Sequence, residues 1–514
     1  MKIRDLFIVG FSAIVLGLAI SVLGMIHFGG LDGSAVVQSA WRFYLGQVPY
    51  RDFLTAAPAS YLVLPGLGFC LFGVSWHAIV LVAALFSAFA LVLHYVILIR
   101  IGWGFRWAFI LSAVTQVAAI LPLCFLHYNQ SAAVSAVLFG SASCLLAHSP
   151  KNRANQVLFI ITMILMSWMK PNIAGLMLVG SSVFLLLDKR TRVPFVYCAG
   201  IAVVLSISLM LCFRLNPFGL VASYMGSSGG RLWNFLNLYR NLWRTDALEA
   251  SITFLLLSPL FAALMLRGNP FKGCVNSGPF FVTISHLGAV STLTGFVGMA
   301  TNCEHNMVDA VMVLSGMCFL IFNASDPSEV AAKSTPLRQI ETRLCDIFAF
   351  TGVVFLGLFG FLMGLSRFRV ESIGQNMFFQ DAKPLKVFAP PFFAGLRTGE
   401  IFLKVLQDIE ATLAAAGLTD KESVFFGPRM EFAYAAYQFI PPKNQYLFWP
   451  GTGEARPEEI EGAVSDFIKW NPKLCIFLLN DFTYMPQSLL IHLSAHYDVS
   501  NTQTLTVLRL RETK

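Results

Sequence analysis

Residues 29–53 read Gly29-Gly30-Leu31-Asp32-Gly33-Ser34, then Trp41-Arg42-Phe43-Tyr44-Leu45-Gly46, then Pro49-Tyr50-Arg51-Asp52-Phe53. The stretch follows directly on an apolar run at 6–27. An acidic residue just past a first hydrophobic span, then an amphipathic segment and a charged turn, describes a loop lying where a membrane meets water. Val37, Trp41, Tyr44 and Leu45 recur at helical spacing while Gln38 and Arg42 fall elsewhere, the pattern of a helix resting in the interface. Tyr61 to Gly73 forms a second apolar stretch, too short to cross a bilayer comfortably.

Composition agrees with that placement. Of 514 residues, 56% are hydrophobic and 12% charged, with 47 Phe and a mean hydropathy of +0.68, whereas soluble domains carry about 25% charged residues. Residues 1–366 hold 21 basic and 12 acidic side chains, and residues 367–514 hold 15 and 16. The first part is therefore expected in the membrane, and 367–514 as a separate water-exposed domain. Crossing a core of about 30 Å takes roughly 17–25 apolar residues. Spans are expected near 6–27, 75–98, 107–125, 131–147, 156–169, 172–187, 194–213, 249–266, 279–299, 307–322 and 346–366. The pair flanking Lys170-Pro171-Asn172 is either two helices or one kinked helix. The leading run lacks a small-residue cleavage site and is expected to be retained.

Lys and Arg in short loops set orientation. With the amino terminus cytoplasmic, fourteen basic residues fall on the inner side and seven on the outer. The Asp32 loop, the 214–248 loop and the C-terminal domain then share the outer face. Inner-loop anchoring accounts for the net charge of +8, so no nucleic-acid partner is inferred. The ten cysteines are scattered without a Cys-x-x-Cys pair.

Asp32, the interfacial helix with Trp41, Gly46, Pro49-Tyr50-Arg51-Asp52-Phe53, Pro58, Tyr61 and Leu71-Phe72-Gly73 resemble the amino-terminal signature of GT-C class membrane glycosyltransferases. The similarity is to the bacterial branch of protein O-mannosyltransferases and the lipid A aminoarabinose transferase, and is strongest over about 28–100. The apolar runs and the Lys and Arg distribution predict about eleven transmembrane helices, GT-C-like, with a small C-terminal α/β periplasmic domain, and the resemblance implies a bacterial inner membrane. It also implies transfer of a sugar from a polyprenyl-phosphate-linked donor to a lipid, glycan or protein acceptor, with inversion. Asp32 matches the first-loop aspartate that acts as general base or positions the acceptor, and such a base is worth about 10²–10⁴-fold in rate. The plain alternative is a helix N-cap ahead of Gly33-Ser34. Asp52 is a second catalytic candidate, or it pairs with Arg51 to hold the turn.

Lys170 and Arg51 are candidates for the donor phosphate, where positive charge must meet developing negative charge; a snorkelling lysine is the alternative for Lys170. Glu304 and His305 sit beside Asp309 at a span edge, where ionisable groups facing a cavity are functional candidates, as ordinary loop residues also would be. Arg231 and Arg240, interleaved with Trp233, Phe235, Tyr239 and Trp243, either steer an anionic carrier or form an aromatic belt. No metal site is assigned. Relatives often carry a second acidic residue in the next outer loop, where this chain has His127-Tyr128-Asn129-Gln130, which leaves a divalent-cation requirement open.

In the C-terminal part, Phe402, Val405, Leu406, Ile409 and Leu413 mark a helical face stopped by Gly417. Val424–Phe426, Leu474–Leu479 and Leu505–Arg509 read as strands, and 457–469 as a second helix. The turns Gly427-Pro428-Arg429 and Trp449-Pro450-Gly451 are placed to touch an acceptor, or simply punctuate loops. Two rival functions stand beside the transferase. An O-antigen-type polymerase or ligase would need a pyrophosphate-linked oligosaccharide, and a transporter or flippase would place ionisable groups near the bilayer midplane.

Overall fold

A computed structural model of the chain describes residues 3–26, 28, 30–49, 51–55, 57–121, 124–220, 385–447, 457–479 and 481–511. The expected spans at 249–266, 279–299, 307–322 and 346–366, and the boundary at 366, lie outside the described residues.

Nine helices are described in the first part: α1 Ile3–Leu23, α2 Gly30–Tyr44, α3 Ala59–Phe72, α4 Trp76–Ile101, α5 Phe105–Ala119, α6 Tyr128–His148, α7 Arg153–Met169, α8 Pro171–Leu187 and α9 Arg192–Cys212. Four stretches among the described residues are long and apolar enough to cross a membrane: Ile3–Leu23, Trp76–Ile101, Gln130–His148 and Arg192–Cys212. Burial sorts them. On α1 only Asp5, Val9, Ala13, Leu16 and Ile20 are buried, one stripe at steps of three and four residues packed on α4. Phe7, Phe11, Ile14, Leu18 and Val22 face outward. A helix apolar all round with one face outside the protein requires lipid on that face. On α9 the same division leaves Val196, Val203, Val204 and Leu211 outward. By contrast α6 is enclosed on nearly all sides. The chain is a multi-pass helical membrane protein.

The apolar run at 107–125 does not stay helical throughout. α5 ends at Ala119, and Pro122 in the sequence disfavours helix at the residue before it. The Lys170 question resolves into two helices: α7 ends at Met169, Lys170 is extended, and α8 begins at Pro171, where proline's fixed φ suits a first helical position.

The C-terminal part forms an α/β unit. Helices α10 Glu400–Ala416, α11 Phe432–Ala436, α12 Pro457–Trp470 and α13 Gln487–His496 surround strands β4 Val424–Phe426, β6 Leu474–Leu478, β7 Tyr497–Asn501 and β8 Leu505–Leu510. Strand order is β4-β6-β8-β7, with β4 parallel to β6 and the other pairs antiparallel. Alternate side chains point to opposite faces. Val424, Phe426, Ile476, Leu505 and Val507 join Phe402, Val405 and Ile409 of α10, whereas Phe425, Cys475, Phe477 and Leu508 join Phe467 of α12 and Leu489 and Leu493 of α13. The sheet is thus covered on both faces, which is why β8 is buried at four consecutive positions instead of alternating. α10 closes at Gly417 in the left-handed region, φ 58°, which glycine adopts without a Cβ clash.

Four short strands complete the description. β1 Phe53–Leu54 of the first loop pairs in parallel with β5 Gln445–Tyr446 of the C-terminal unit, and β2 Leu385–Lys386 pairs with β3 Arg397–Thr398. The β1–β5 pairing stitches two segments almost four hundred residues apart.

Candidate functional site

The first loop and the C-terminal unit meet along α2. Ser39 Oγ donates to Tyr61 O at 2.7 Å, so α2 lies on α3. Its other side is covered by α11 and the loop that follows. Trp41 Nε1 donates to Phe439 O at 2.7 Å, Arg42 Nη1 to Pro442 O at 3.0 Å and to Gln47 Oε1 at 2.6 Å, and Gln47 Nε2 to Pro441 O at 2.9 Å. Arg42 is fully buried with Phe53 beneath its guanidinium, and burial lowers its pKa to about 10. The amphipathic reading of α2 is corrected here: Gln38 and Arg42 are buried, while Tyr44 and Leu45 are exposed. The polar face of the helix meets carbonyls of the C-terminal unit instead of solvent.

At the other end of α2, Ser34 Oγ donates to Glu431 Oε2 at 2.6 Å and accepts from Phe432 N–H at 3.0 Å. Ser34 is 0% and Glu431 4% exposed. Burial pushes the Glu431 carboxyl up to about 7, opposed by the Ser34 hydrogen bond, with Asp481 adding repulsion. Burial likewise pushes Asp481 up to about 6, opposed by Arg429 3.6 Å away. Around this contact Phe28 stacks on Phe402 at 5.2 Å and meets Trp76, Phe393 and Phe432 edge-on at 4.9, 5.1 and 5.3 Å. Five aromatic rings from the first loop, α4 and the C-terminal unit thus seal the junction beside two buried carboxyls.

A carboxyl that holds its proton more tightly when folded stabilises the chain at low pH. That contribution is lost as pH rises from the ordinary 4.5 through about 7. The full effect is roughly 3 kcal/mol. We therefore expect the melting temperature of the detergent-solubilised chain to fall over that interval, and to fall less in Glu431→Gln, which has no proton to lose. Parallel curves for the two proteins would refute the assignment.

The structure distributes the sequence candidates unevenly. Asp32 lies in the first turn of α2, because the helix begins at Gly30, three residues before the start at Gly33 that an N-cap at Asp32 would give. Asp52 is engaged locally: its carboxylate accepts from Val48 N–H at 2.8 Å and from Arg51 Nη2 at 2.7 Å. The Arg51 hydrogen bond is the main reason its pKa falls below the usual range. Lys170 is buried at the break between α7 and α8. In the acid-free stretch that opens α6, His127 Nδ1 and Gln130 Oε1 form a 2.5 Å hydrogen bond between the residue before the helix and its first turn. Arg231, Arg240, Glu304 and His305 lie outside the described residues, as does Trp449-Pro450-Gly451. Among the described residues no three His, Cys, Asp or Glu side chains converge as a metal ion would require.

Glu431, Ser34 and Arg42 were missed as partners in one junction. The available signal was Glu431 itself, a lone acid inside the apolar run Met430-Glu431-Phe432-Ala433-Tyr434, two residues after the Gly427-Pro428-Arg429 turn.

The architecture of this multi-pass membrane protein is shared by a solved structure. It is similar to the crystal structure of ArnT from Cupriavidus metallidurans in the apo state, with 14% identity, a TM-score of 0.54, and 99% of this chain and 98% of that chain covered. ArnT from the same organism bound to undecaprenyl phosphate aligns with 15% identity and a TM-score of 0.47, over the same shares of the two chains. No family model and no curated protein matches the sequence.

Proposed function

We propose that this chain is an integral-membrane glycosyltransferase that moves a sugar from a polyprenyl-phosphate-linked donor to a lipid, glycan or protein acceptor, with inversion. The observation that carries the reading is the place of Asp32: in the first turn of a helix whose neighbouring residue Ser34 is gripped by the C-terminal unit, in a chain with the GT-C fold. In this reading Asp32 takes the proton of the acceptor hydroxyl as it attacks the anomeric carbon. The bond from that carbon to the phosphate oxygen breaks, and polyprenyl phosphate leaves. Lys170 offsets the negative charge of the leaving phosphate, with Arg51, Arg231 and Arg240 as further cations for the carrier and Glu304 and His305 for the sugar or a proton. Arg51 and Asp52 act from the turn they share. The first-loop signature and the Lys and Arg distribution support a bacterial inner membrane, a cytoplasmic amino terminus and a periplasmic C-terminal domain over residues 367–514.

One observation favours the rival transporter. His94 is fully buried in α4, seven residues or roughly 10 Å before its end, with Nε2 3.2 Å from Ser141 Oγ of α6. Buried ionisable groups at such depth mark ion or proton paths. Purified full-length chain in liposomes, given a polyprenyl-phosphate-sugar extract of bacterial membranes, decides between the two. The transferase releases polyprenyl phosphate with a stoichiometric glycosylated product; movement of the intact lipid-linked sugar across the bilayer without its cleavage would refute it.

A further inference from the structure

Two grips fix α2. At its C-terminal end Trp41 and Arg42 bind the Phe439 and Pro442 carbonyls, and β1 pairs with β5. At its N-terminal end the hold is Ser34, whose hydroxyl is oriented from both sides by adjacent residues, Glu431 and Phe432. We propose that Glu431 is a positioning residue for the transfer reaction, acting through Ser34 to fix the first turn of α2 and with it Asp32. The inference rests on Asp32 being the base.

Three physical points support it. A general base works only within about 2.6–3.2 Å of the proton it takes, and displacing a catalytic group by about 1 Å can cost roughly 10²-fold. Asp32 and Ser34 share one helical segment two residues apart, so a shift or rotation of one moves the other. Finally, a buried carboxyl is a costly way to hold an interface, since apolar pairs of similar volume serve packing as well or better. Glu431 is buried although Asp481 faces it with like charge, and its carboxylate is held by the Ser34 hydroxyl while Arg429 pairs with Asp481.

Because the second grip and the aromatic junction remain, variants at this contact should fold with the C-terminal unit docked. The test uses full-length chain in liposomes with the membrane extract of polyprenyl-phosphate sugars as donor, titrated to separate kcat from KM. Ser34→Ala and Glu431→Ala should each lower kcat by roughly 10²-fold at unchanged KM. The double variant should be no worse than either single one, as for residues acting as a unit. Glu431→Gln, whose amide oxygen still accepts from Ser34, should restore most of kcat. Adding Glu431→Ala to Asp32→Asn should cost nothing further. Wild-type kcat in either alanine variant, losses that multiply in the double variant, or a Gln variant as slow as the Ala variant would overturn the proposal. Should Glu431→Ala fail to accumulate, the smaller change Ser34→Ala decides alone. A wild-type rate in Asp32→Asn would instead remove the base assignment, and this proposal with it. An inactive Asp32→Asn beside a fully active Ser34→Ala removes the positioning role only.

Discussion

Asp32→Asn should leave the protein folded and reduce transfer by about 10²–10⁴-fold, the span a positioned general base supplies. The structure separates the two effects. Since α2 begins at Gly30, position 32 falls in the first helical turn, where exchanging an acid for its amide costs only about 0.3–1 kcal/mol. So small a change neither unfolds α2 nor detaches it from α3 and α11. Melting temperature and transfer rate measured on the same preparation give the comparison. Unchanged melting with collapsed transfer is expected, and transfer at the wild-type rate would mean that Asp32 is not the base.

Phe28→Ala should have the largest effect on stability, about 3–5 kcal/mol. Phe28 is fully buried and touches four rings, one from α4 and three from the C-terminal unit, so its removal leaves a cavity that no single element can collapse to fill. The loss should appear first at the junction, as protease cleavage between the C-terminal unit and the first loop at temperatures where α4 and α6 remain protected. Phe11→Ala is the control. Phe11 points outward from α1, where lipid replaces the lost contacts, and its digestion pattern should match wild type. Equal sensitivity of the two variants would refute the aromatic junction.

Legibility in the sequence followed locality. The helix at 400–416, its glycine stop and the strand at 424–426 were readable because capping, periodicity and β-propensity are local signals, and the structure places them at the same residues. Likewise, apolar runs at 75–98 and 194–213 correspond to α4 and α9, since a long uncharged run has few alternatives to a membrane helix. The misreadings concern surfaces covered by distant parts of the chain. Gln38 and Arg42 have the periodicity of a solvated face, and only the docking of residues 431–447 turns that face inward. Leu505, Val507 and Arg509 alternate with Thr506 and Leu508 in a strand whose sheet has helices on both sides, and that cover comes from distant segments. Asp32 was visible as a chemical candidate, whereas Glu431 was not, because its significance comes from a contact spanning 397 residues. No local pattern encodes such a contact.

Transfer of a sugar from a polyprenyl-phosphate carrier leaves a signature that can be read in cells. Surface glycans and polyprenyl-phosphate sugars should be compared by mass spectrometry with and without the gene. One sugar should be missing from an acceptor while its lipid-linked form accumulates, both reversed by the wild-type chain and not by Asp32→Asn. Unchanged glycans and lipid-linked sugars, together with a shift in another solute pool, would contradict sugar transfer and favour transport.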